Sequence, residues 1–497
     1  MSQDYDRSIA ERSLLTVARR VFWITLAATL IAGALASLHY ASMHLTLSHY
    51  DARAHLVVAR RVIDSLTPGW RQFGSVWLPL PHIVNLIPSA WDWSYRTGTG
   101  AVVISILSMG LGLAAVSKTL VLRTGSVAAG LAAPALALAN PNVLYLLATP
   151  MTEPLLFGLT LLSLWAVDQW IGQPSHATSR RAAALLAALV LTRYEGWLVA
   201  AVLVALAVGV SWRRRPAGLH RLWAFPLLAI AAFLLLSRAG TGQWPMSESF
   251  FVPDPDLVHQ PLVVLRKMTT GVLDLAGLPL TLAGAVGLVL LLVRARSAPR
   301  LLIFAAPLAA AALPLVAFYD GHPYRVRYLV PVVLAAAVLA AMALAALTRL
   351  SRTMTLAAAV LLVLASVWAA PPLDRQAPMV IEAQWETPFR IERQRVTAEL
   401  VGRDDGSPVL ASMGSLAHYM HETSHAGFAL RRFLHEGNGD LWPEALKNPR
   451  KSVRWILIEE RAEGGDVLAA RARQDPAFLD GFERVIEGGG LVLYERK

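Results

Sequence analysis

Apolar runs of about the length a helix needs to cross a bilayer recur through the first three quarters of the chain. They predict helices over 20–40, 97–121, 126–147, 153–171, 181–193, 196–211, 221–238, 273–293, 301–318, 328–348 and 354–370. The polar run Thr192-Arg193-Tyr194-Glu195-Gly196 interrupts 181–211, which reads as one broken helix or two short ones. After residue 371 the pattern changes. Strand-like segments at 408–412 and 453–459, each followed by a helical stretch, and a closing hairpin around 488–490 predict a small α/β domain. The fold class expected is mainly α. Residues 1–371 form a polytopic membrane domain of about eleven transmembrane helices, and 372–497 a small soluble α/β domain.

Two polar stretches separate the apolar runs, at 41–96 and 239–272. The first carries an amphipathic segment over 52–66 and a part rich in Trp and Pro (Trp70, Trp77, Pro79, Pro81, Trp91, Trp93), a composition suited to the membrane interface. The sequence Ala34-Leu35-Ala36 imitates a signal cleavage site, but the apolar run around it is longer than a signal peptide needs, so an uncleaved first helix is expected.

Charge orients the bundle. With the N-terminus cytoplasmic, alternation puts Lys118 and Arg123, Arg180 and Arg181, Arg213 to Arg215, Arg294 with Arg296 and Arg300, and Arg349 with Arg352 in short cytoplasmic loops, as positive-inside loops require. That count works only if 181–193 and 196–211 are two helices meeting on the outer face. It places 372–497 outside, giving a multi-pass protein of the bacterial inner (plasma) membrane with a periplasmic or extracellular C-terminal domain. Composition agrees: 55% of residues are hydrophobic and 16% charged, against roughly a quarter charged in soluble proteins. The net charge of +11 divides into +14 over residues 1–371, with 28 basic and 14 acidic residues, and −3 over 372–497, with 17 and 20. The excess belongs to cytoplasmic loops, and nucleic acid is not needed to explain it. There is no cysteine, so disulfide and thiolate chemistry are excluded.

Acidic residues near hydrocarbon are costly and therefore informative. Asp4, Asp6, Glu11 and Asp168 fall on the cytoplasmic side; Asp51, Asp64, Asp92, Glu153, Glu195, Glu248, Asp254, Asp256, Asp274 and Asp320 fall on or near the outer face. Asp51, in His49-Tyr50-Asp51-Ala52-Arg53-Ala54-His55, is a candidate general base and equally a candidate N-cap for the helix that follows. Glu153, at the outer start of a span, suits either a helix N-terminus or a buried partner. Arg193, Arg325 and Arg327 run against the charge bias of the outer side, and an anionic ligand such as a phosphate would explain them; lipid headgroups or an internal pair such as Arg193 with Glu195 would serve as well. Tyr319-Asp320-Gly321-His322-Pro323-Tyr324-Arg325-Val326-Arg327-Tyr328 is dense in polar and aromatic groups. His418, His421, Glu422 and His425 share one helical face, which reads more readily as a solvated face than as a zinc site. No HExxH, phosphate-loop, GxSxG or GxGxxG motif stands in a convincing context, although His421-Glu422-Thr423-Ser424-His425 has the HExxH spacing.

This constellation resembles the GT-C superfamily of membrane glycosyltransferases that use polyprenyl-phosphate-linked sugars, and most nearly its branch of protein O-mannosyltransferases and lipid A aminoarabinose transferases. The resemblance rests on Tyr50-Asp51-Ala52-Arg53 in a long first outer loop, Pro150-Met151-Thr152-Glu153-Pro154 opening a later span, Thr192-Arg193-Tyr194-Glu195-Gly196, and the late segment Arg327-Tyr328-Leu329-Val330-Pro331. It covers roughly residues 15–350. It implies transfer of a sugar from a polyprenyl-phosphate donor to an acceptor hydroxyl, with Asp51 and Glu153 as catalytic carboxylates and Arg53, His55, Arg193, Glu195, His322, Tyr324, Arg325 and Arg327 as substrate-binding groups. The first loop has a single Asp where the protein mannosyltransferases have an acidic pair, which argues against a protein Ser/Thr acceptor. A divalent metal stays open but unsupported: the first loop lacks a DxD-type pair, and Asp254-Pro255-Asp256, in the second loop, is a weak candidate. Lipid, glycan and protein remain open as acceptors. The alternatives are a transporter or flippase of a lipid-linked or anionic substrate, and a non-catalytic receptor or scaffold. A transporter would place its polar groups near the bilayer midplane, and here they gather at the outer boundary.

Overall fold

The computed structural model describes residues 2–211, 216–242, 244–245, 253–462 and 464–497. Arg213, Arg214, Arg215 and Glu248 lie outside the described residues. All eleven apolar runs are helical. The first part of the chain forms α1 (Ser2–Ser42), α2 (Tyr50–Arg60), α3 (Leu80–Ser89), α4 (Asp92–Thr97), α5 (Thr99–Thr124), α6 (Val127–Ala139), α7 (Pro141–Leu147), α8 (Glu153–Gly172), α9 (His176–Val190) and α10 (Glu195–Ser211). Then follow α11 (Leu219–Thr241), α12 (Pro261–Ala295), a 3-10 stretch Pro299–Ala311 running into α13 (Ala312–Tyr319), α14 (Val330–Leu347) and α15 (Arg352–Ala369).

Among the described residues, eight helices are long and apolar enough to cross a membrane, or nine if α6 and α7, bent by 76°, count as one span. The sequence reading of about eleven counted α9 and α10 as well. They are two helices, as the loop charges required, but each is shorter than a full span: α9 opens on a polar turn with Arg180 and Arg181, and the Leu191–Tyr194 break ends it early. The Val326–Leu347 segment is 83% buried and forms the centre of the bundle; α15, at 17%, shows most of its surface to the surroundings.

Small residues and helix breaks set the packing. A Cβ on Gly112 of α5 would lie 2.8 Å from the Gly158 Cα of α8, so the two backbones touch there. In α12, Gly277 is non-helical (φ 72°) and Pro279 supplies no N–H to the Leu275 carbonyl. The side-chain amides of Asn140 and Asn142, at the α6–α7 bend, donate to that carbonyl at 2.6 and 3.0 Å. A polar group freed by one break is thus satisfied by residues exposed by another, as apolar surroundings demand. At the far end of α8, Asp168 is clamped by Arg123 (2.7 Å) and Arg300 (2.8 Å), joining three segments at one end of the bundle.

Beyond α15 come α16 (Pro378–Glu382), α17 (Arg390–Gly402), β1 (Val409–Ala411), α18 (Met413–Ser424), β2 (Phe433–Leu434), β3 (Trp455–Glu459), a helix Val467–Gln474, β4 (Phe482–Gly488) and β5 (Leu491–Arg496). The sheet order is β2-β1-β3-β5-β4, parallel across the first three strands and antiparallel beyond. Gly489 and Gly490, both at positive φ, turn the β4–β5 hairpin. The sequence pattern had not shown β2, which is two residues long. The core under this sheet does not end at residue 372: Leu56 and Val57 of α2 and Tyr95 of α4 belong to one apolar cluster with Val396, Tyr419, Phe433, Trp455 and Leu493.

Candidate functional site

The segment between α1 and α5 brings Asp51 to the bundle, and the 3-10 turn Val326–Leu329 brings Arg327. Asp51 Oδ2 and Arg327 Nη2 are 2.5 Å apart, and Arg327 is only 4% exposed. Asp51 does not cap its helix: the N-cap is His49, whose Nδ1 accepts the Asp51 N–H at 3.1 Å. An Asp in the first turn still complements the helix dipole, but its side chain is committed to Arg327. Burial alone would push the Asp51 carboxyl up. The Arg327 guanidinium overrides that, helped by Arg193, and holds it below its ordinary range.

A second buried group lies alongside. Glu153, the first residue of α8, is 1% exposed, and Arg193 Nη1 sits 3.0 Å from its Oε1, close enough for an ion pair although not aligned as a hydrogen bond. Arg193 also holds Glu195 at 2.8 Å and donates to Thr152 Oγ1 at 2.8 Å. The broken stretch between α9 and α10 positions this arginine. Tyr328 joins the two groups: its ring lies under the guanidinium of Arg327 (5.0 Å) and that of Arg193 (5.9 Å), and its hydroxyl accepts from Arg327 at 3.3 Å. Asp51, Glu153, Arg193, Glu195 and Arg327 thus converge from four separate segments.

The remaining candidates sit around this centre in different ways. His55 is buried one turn after Asp51; its Nδ1 is 3.1 Å from His82 Nε2 and its ring packs on Trp77 at 4.1 Å. Burial pushes His55 down to about 3, partly offset by Asp51, so its ring is neutral. Arg325 stacks on Trp385 at 5.7 Å. His322 lies edge-on to Tyr328 at 5.5 Å and its Nδ1–H donates to the Pro323 carbonyl at 2.8 Å. The Tyr324 hydroxyl donates to the Lys267 carbonyl at 3.3 Å. Through Lys267 it adjoins a groove of about 450 Å³ along α12, lined by Leu262, Val263, Arg266, Lys267 and Thr270. That groove holds none of the buried carboxylates, so the ion-pair cluster, where charge and burial coincide, is the better candidate for chemistry.

Arg53 faces elsewhere. It is paired with Glu386 at 2.7 Å and with Glu422, both beyond residue 371. Burial lowers it to about 10 despite Glu386. The His/Glu stripe of α18 is correspondingly buried at His418 and His421, half-buried at Glu422 and exposed only at His425. His418 is 3.1 Å from Glu386, the His421 Nε2–H donates to the Tyr95 carbonyl at 2.9 Å, and both histidines are buried because α18 packs on α2 and α4. Its side chains diverge to separate partners, and no group of three metal-ligating side chains exists among the described residues.

Three residues went unsuspected in the sequence: His49, Glu382 and Trp385. Glu382 Oε2 accepts the Val326 N–H at 2.7 Å and its Oε1 is 3.6 Å from His49 Nε2, while Trp385 meets Tyr50 edge-on at 5.9 Å. Glu382 and Trp385 lie in the segment leading into the α/β region, where neither periodicity nor motif marks them.

No family model matches this chain, and no curated protein matches it. Solved structures do. The chain is similar to ArnT from Cupriavidus metallidurans bound to undecaprenyl phosphate, with 13% identity, a TM-score of 0.53 and 95% of this chain aligned to 97% of that one. Against ArnT from the same organism in the apo state the identity is 14% and the TM-score 0.57, over the same shares of the two chains. The likeness is one of fold and runs through both the helical bundle and the α/β region. It agrees with the resemblance that the sequence motifs carry.

Proposed function

We propose that the chain transfers a sugar from a polyprenyl-phosphate donor to an acceptor hydroxyl, at the outer end of a multi-pass membrane domain formed by residues 1–371. The observation that carries this reading is the buried cluster in which Tyr328 lies between Arg193 and Arg327 while each arginine is balanced by a carboxylate. Two desolvated guanidiniums side by side suit a phosphate leaving group, whose charge grows as the glycosidic bond breaks. A carboxylate one contact away suits deprotonation of the incoming hydroxyl. The similarity in fold to a protein crystallised with undecaprenyl phosphate supports the lipid-phosphate part of the reading.

The chemistry balances as a single displacement. The acceptor oxygen bonds to the anomeric carbon from the face opposite the phosphate. The bond from that carbon to the phosphate oxygen breaks, and its electron pair leaves with the lipid phosphate. The acceptor proton passes to Asp51. In its present pairing Asp51 is a weak base, because Arg327 holds its carboxyl low. A donor phosphate drawing Arg327 toward itself relieves that pairing and raises the basicity of Asp51 when substrate is present. Glu153 and Glu195 fix the plane of Arg193. His55, His322, Tyr324 and Arg325 surround the reacting groups, and Arg53 ties the first loop to residues 372–497. A lipid, glycan or protein hydroxyl serves as acceptor. The test is transfer from radiolabelled polyprenyl-phosphate sugars in membranes carrying wild type, Asp51→Asn or Glu153→Gln. Transfer by wild type and its loss in both variants is expected; full activity in both variants overturns the site.

A further inference from the structure

His49 occupies an electrostatically awkward position. It is fully buried, and two hydrogen-bond donors point at its ring: the Asp51 N–H at Nδ1 (3.1 Å) and Arg327 Nη1 at Nε2 (2.8 Å). A neutral imidazole has one accepting nitrogen and an imidazolium has none. If Nδ1 accepts the Asp51 N–H, the ring proton sits on Nε2 and faces the Arg327 guanidinium, donor against donor. An acceptor close to Nε2 eases that conflict, and Glu382 Oε1 lies 3.6 Å from it. That oxygen is buried and has no hydrogen-bond partner of its own, while Oε2 of the same carboxylate is anchored on the N–H of Val326, the residue before Arg327.

We propose that Glu382 is a positioning residue of this same site: from beyond the last span it fixes the tautomer and orientation of His49, and through His49 the placement of Asp51 and Arg327. The inference rests on the glycosyl-transfer reading above for its kinetic readout. Glu382 touches neither reacting carbon nor phosphate in this scheme. Its carboxylate reaches the 3-10 turn through Val326 and the cap of α2 through His49, so one side chain ties together the two segments that carry the Asp51–Arg327 pair. Such support from outside the reacting groups is what holds a catalytic constellation to within fractions of an ångström. Its charge state agrees: burial would raise the Glu382 carboxyl, and His49, Arg327 and Arg325 together hold it below its ordinary range.

The experiment is a double-mutant cycle on full-length protein in membranes, with Glu382→Gln, His49→Asn and both together, plus Glu382→Asp. Asn at 49 keeps a side-chain acceptor for the α2 cap. The expected result is a kcat about tenfold or more lower for Glu382→Gln, with the donor KM changed by less than about threefold and part of the kcat restored by Glu382→Asp. The double variant should be no slower than His49→Asn alone, because the two act through one another. Multiplying losses, or wild-type kcat in Glu382→Gln, overturns the proposal. If wild-type membranes transfer from none of the polyprenyl-phosphate sugars, the functional reading falls by itself. The cycle is then read on the melting temperature of the detergent-solubilised protein, where non-additive losses sustain the Glu382–His49 linkage and additive ones overturn it.

Discussion

Asp51 and Arg327 meet at 2.5 Å in a site from which water is largely excluded, and neither is adjacent in sequence to the other's segment. Removing one member strands the other, and a stranded buried charge costs about 3–5 kcal/mol. Asp51→Asn is therefore expected to lower transfer by about 10²-fold or more and also to lower thermal stability in detergent. Arg327→Lys retains the charge but loses the planar fork and the stacking on Tyr50 and Tyr328. It should keep more stability than Asp51→Asn while losing comparable activity, as parallel melting curves and transfer assays will show.

Arg193 balances two carboxylates. Arg193→Ala leaves Glu153 and Glu195 both buried and facing one another, so it should destabilise the protein more than Glu153→Gln or Glu195→Gln does. Adding either glutamine substitution to Arg193→Ala should restore part of the loss. A melting temperature unchanged by the second substitution would contradict the pairing.

Arg53 belongs to the contact between the first loop and the region beyond residue 371. Arg53→Ala is expected to expose residues 373–389 to protease and lower the melting temperature, with a donor KM within about twofold of wild type, because breaking a buried pair acts on stability. A large rise in donor KM with unchanged protease resistance would return Arg53 to the substrate.

Stability should fall on mild acidification. His55 and His421 are buried and pushed down to about 3, by burial first. Unfolded histidine takes up a proton near 6.5; the folded protein does not until far lower pH, so the unfolded state binds more protons throughout that window. Each histidine then withdraws about 1.4 kcal/mol of stability per pH unit below roughly 6.5. The Glu386 carboxyl behaves in the same sense lower down. Burial would raise it, but His418, Arg53 and Arg393 hold it well below its ordinary value, and its contribution is lost as pH falls below about 4.5. Melting temperatures between pH 7.5 and 4 should decline in two stages, and His421→Gln should flatten the first.

The helix pair that carries Glu153 has no room to spare. A Cβ at Gly158 would lie 2.3 Å from the Ser108 carbonyl oxygen. Gly158→Ala should cost about 1–3 kcal/mol by overpacking, and it should also reduce transfer because the start of α8 moves with it. An unaffected melting temperature would show that the helices separate freely.

Much of this arrangement was legible along the chain. Apolar length marked the helices, and Arg213–Arg215 forced α9 and α10 to be read as two. Asp51, Glu153, Arg193 and Arg327 stood out because each is an expensive charge beside hydrocarbon. What a one-dimensional pattern does not carry is pairing. His49 looked like any loop histidine, the α18 stripe looked solvated, and Asp51 looked like a cap, because the surfaces that cover them come from far along the chain. Glu382 gave no signal at all: an acidic residue in a polar tail is unremarkable until the Val326 N–H and His49 are found beside it.

The ties between Arg53 and Glu386, 333 positions apart, and between His49 and Glu382 have a consequence for biogenesis. The residues of the first loop are made early in synthesis, but their partners are made only after α15. Until then Arg53 lacks its counter-charge and His49 lacks the acceptor that fixes its ring. A chain that stops before Glu382 therefore lacks both carboxylates, and with them both ties that hold its first loop in the full-length protein.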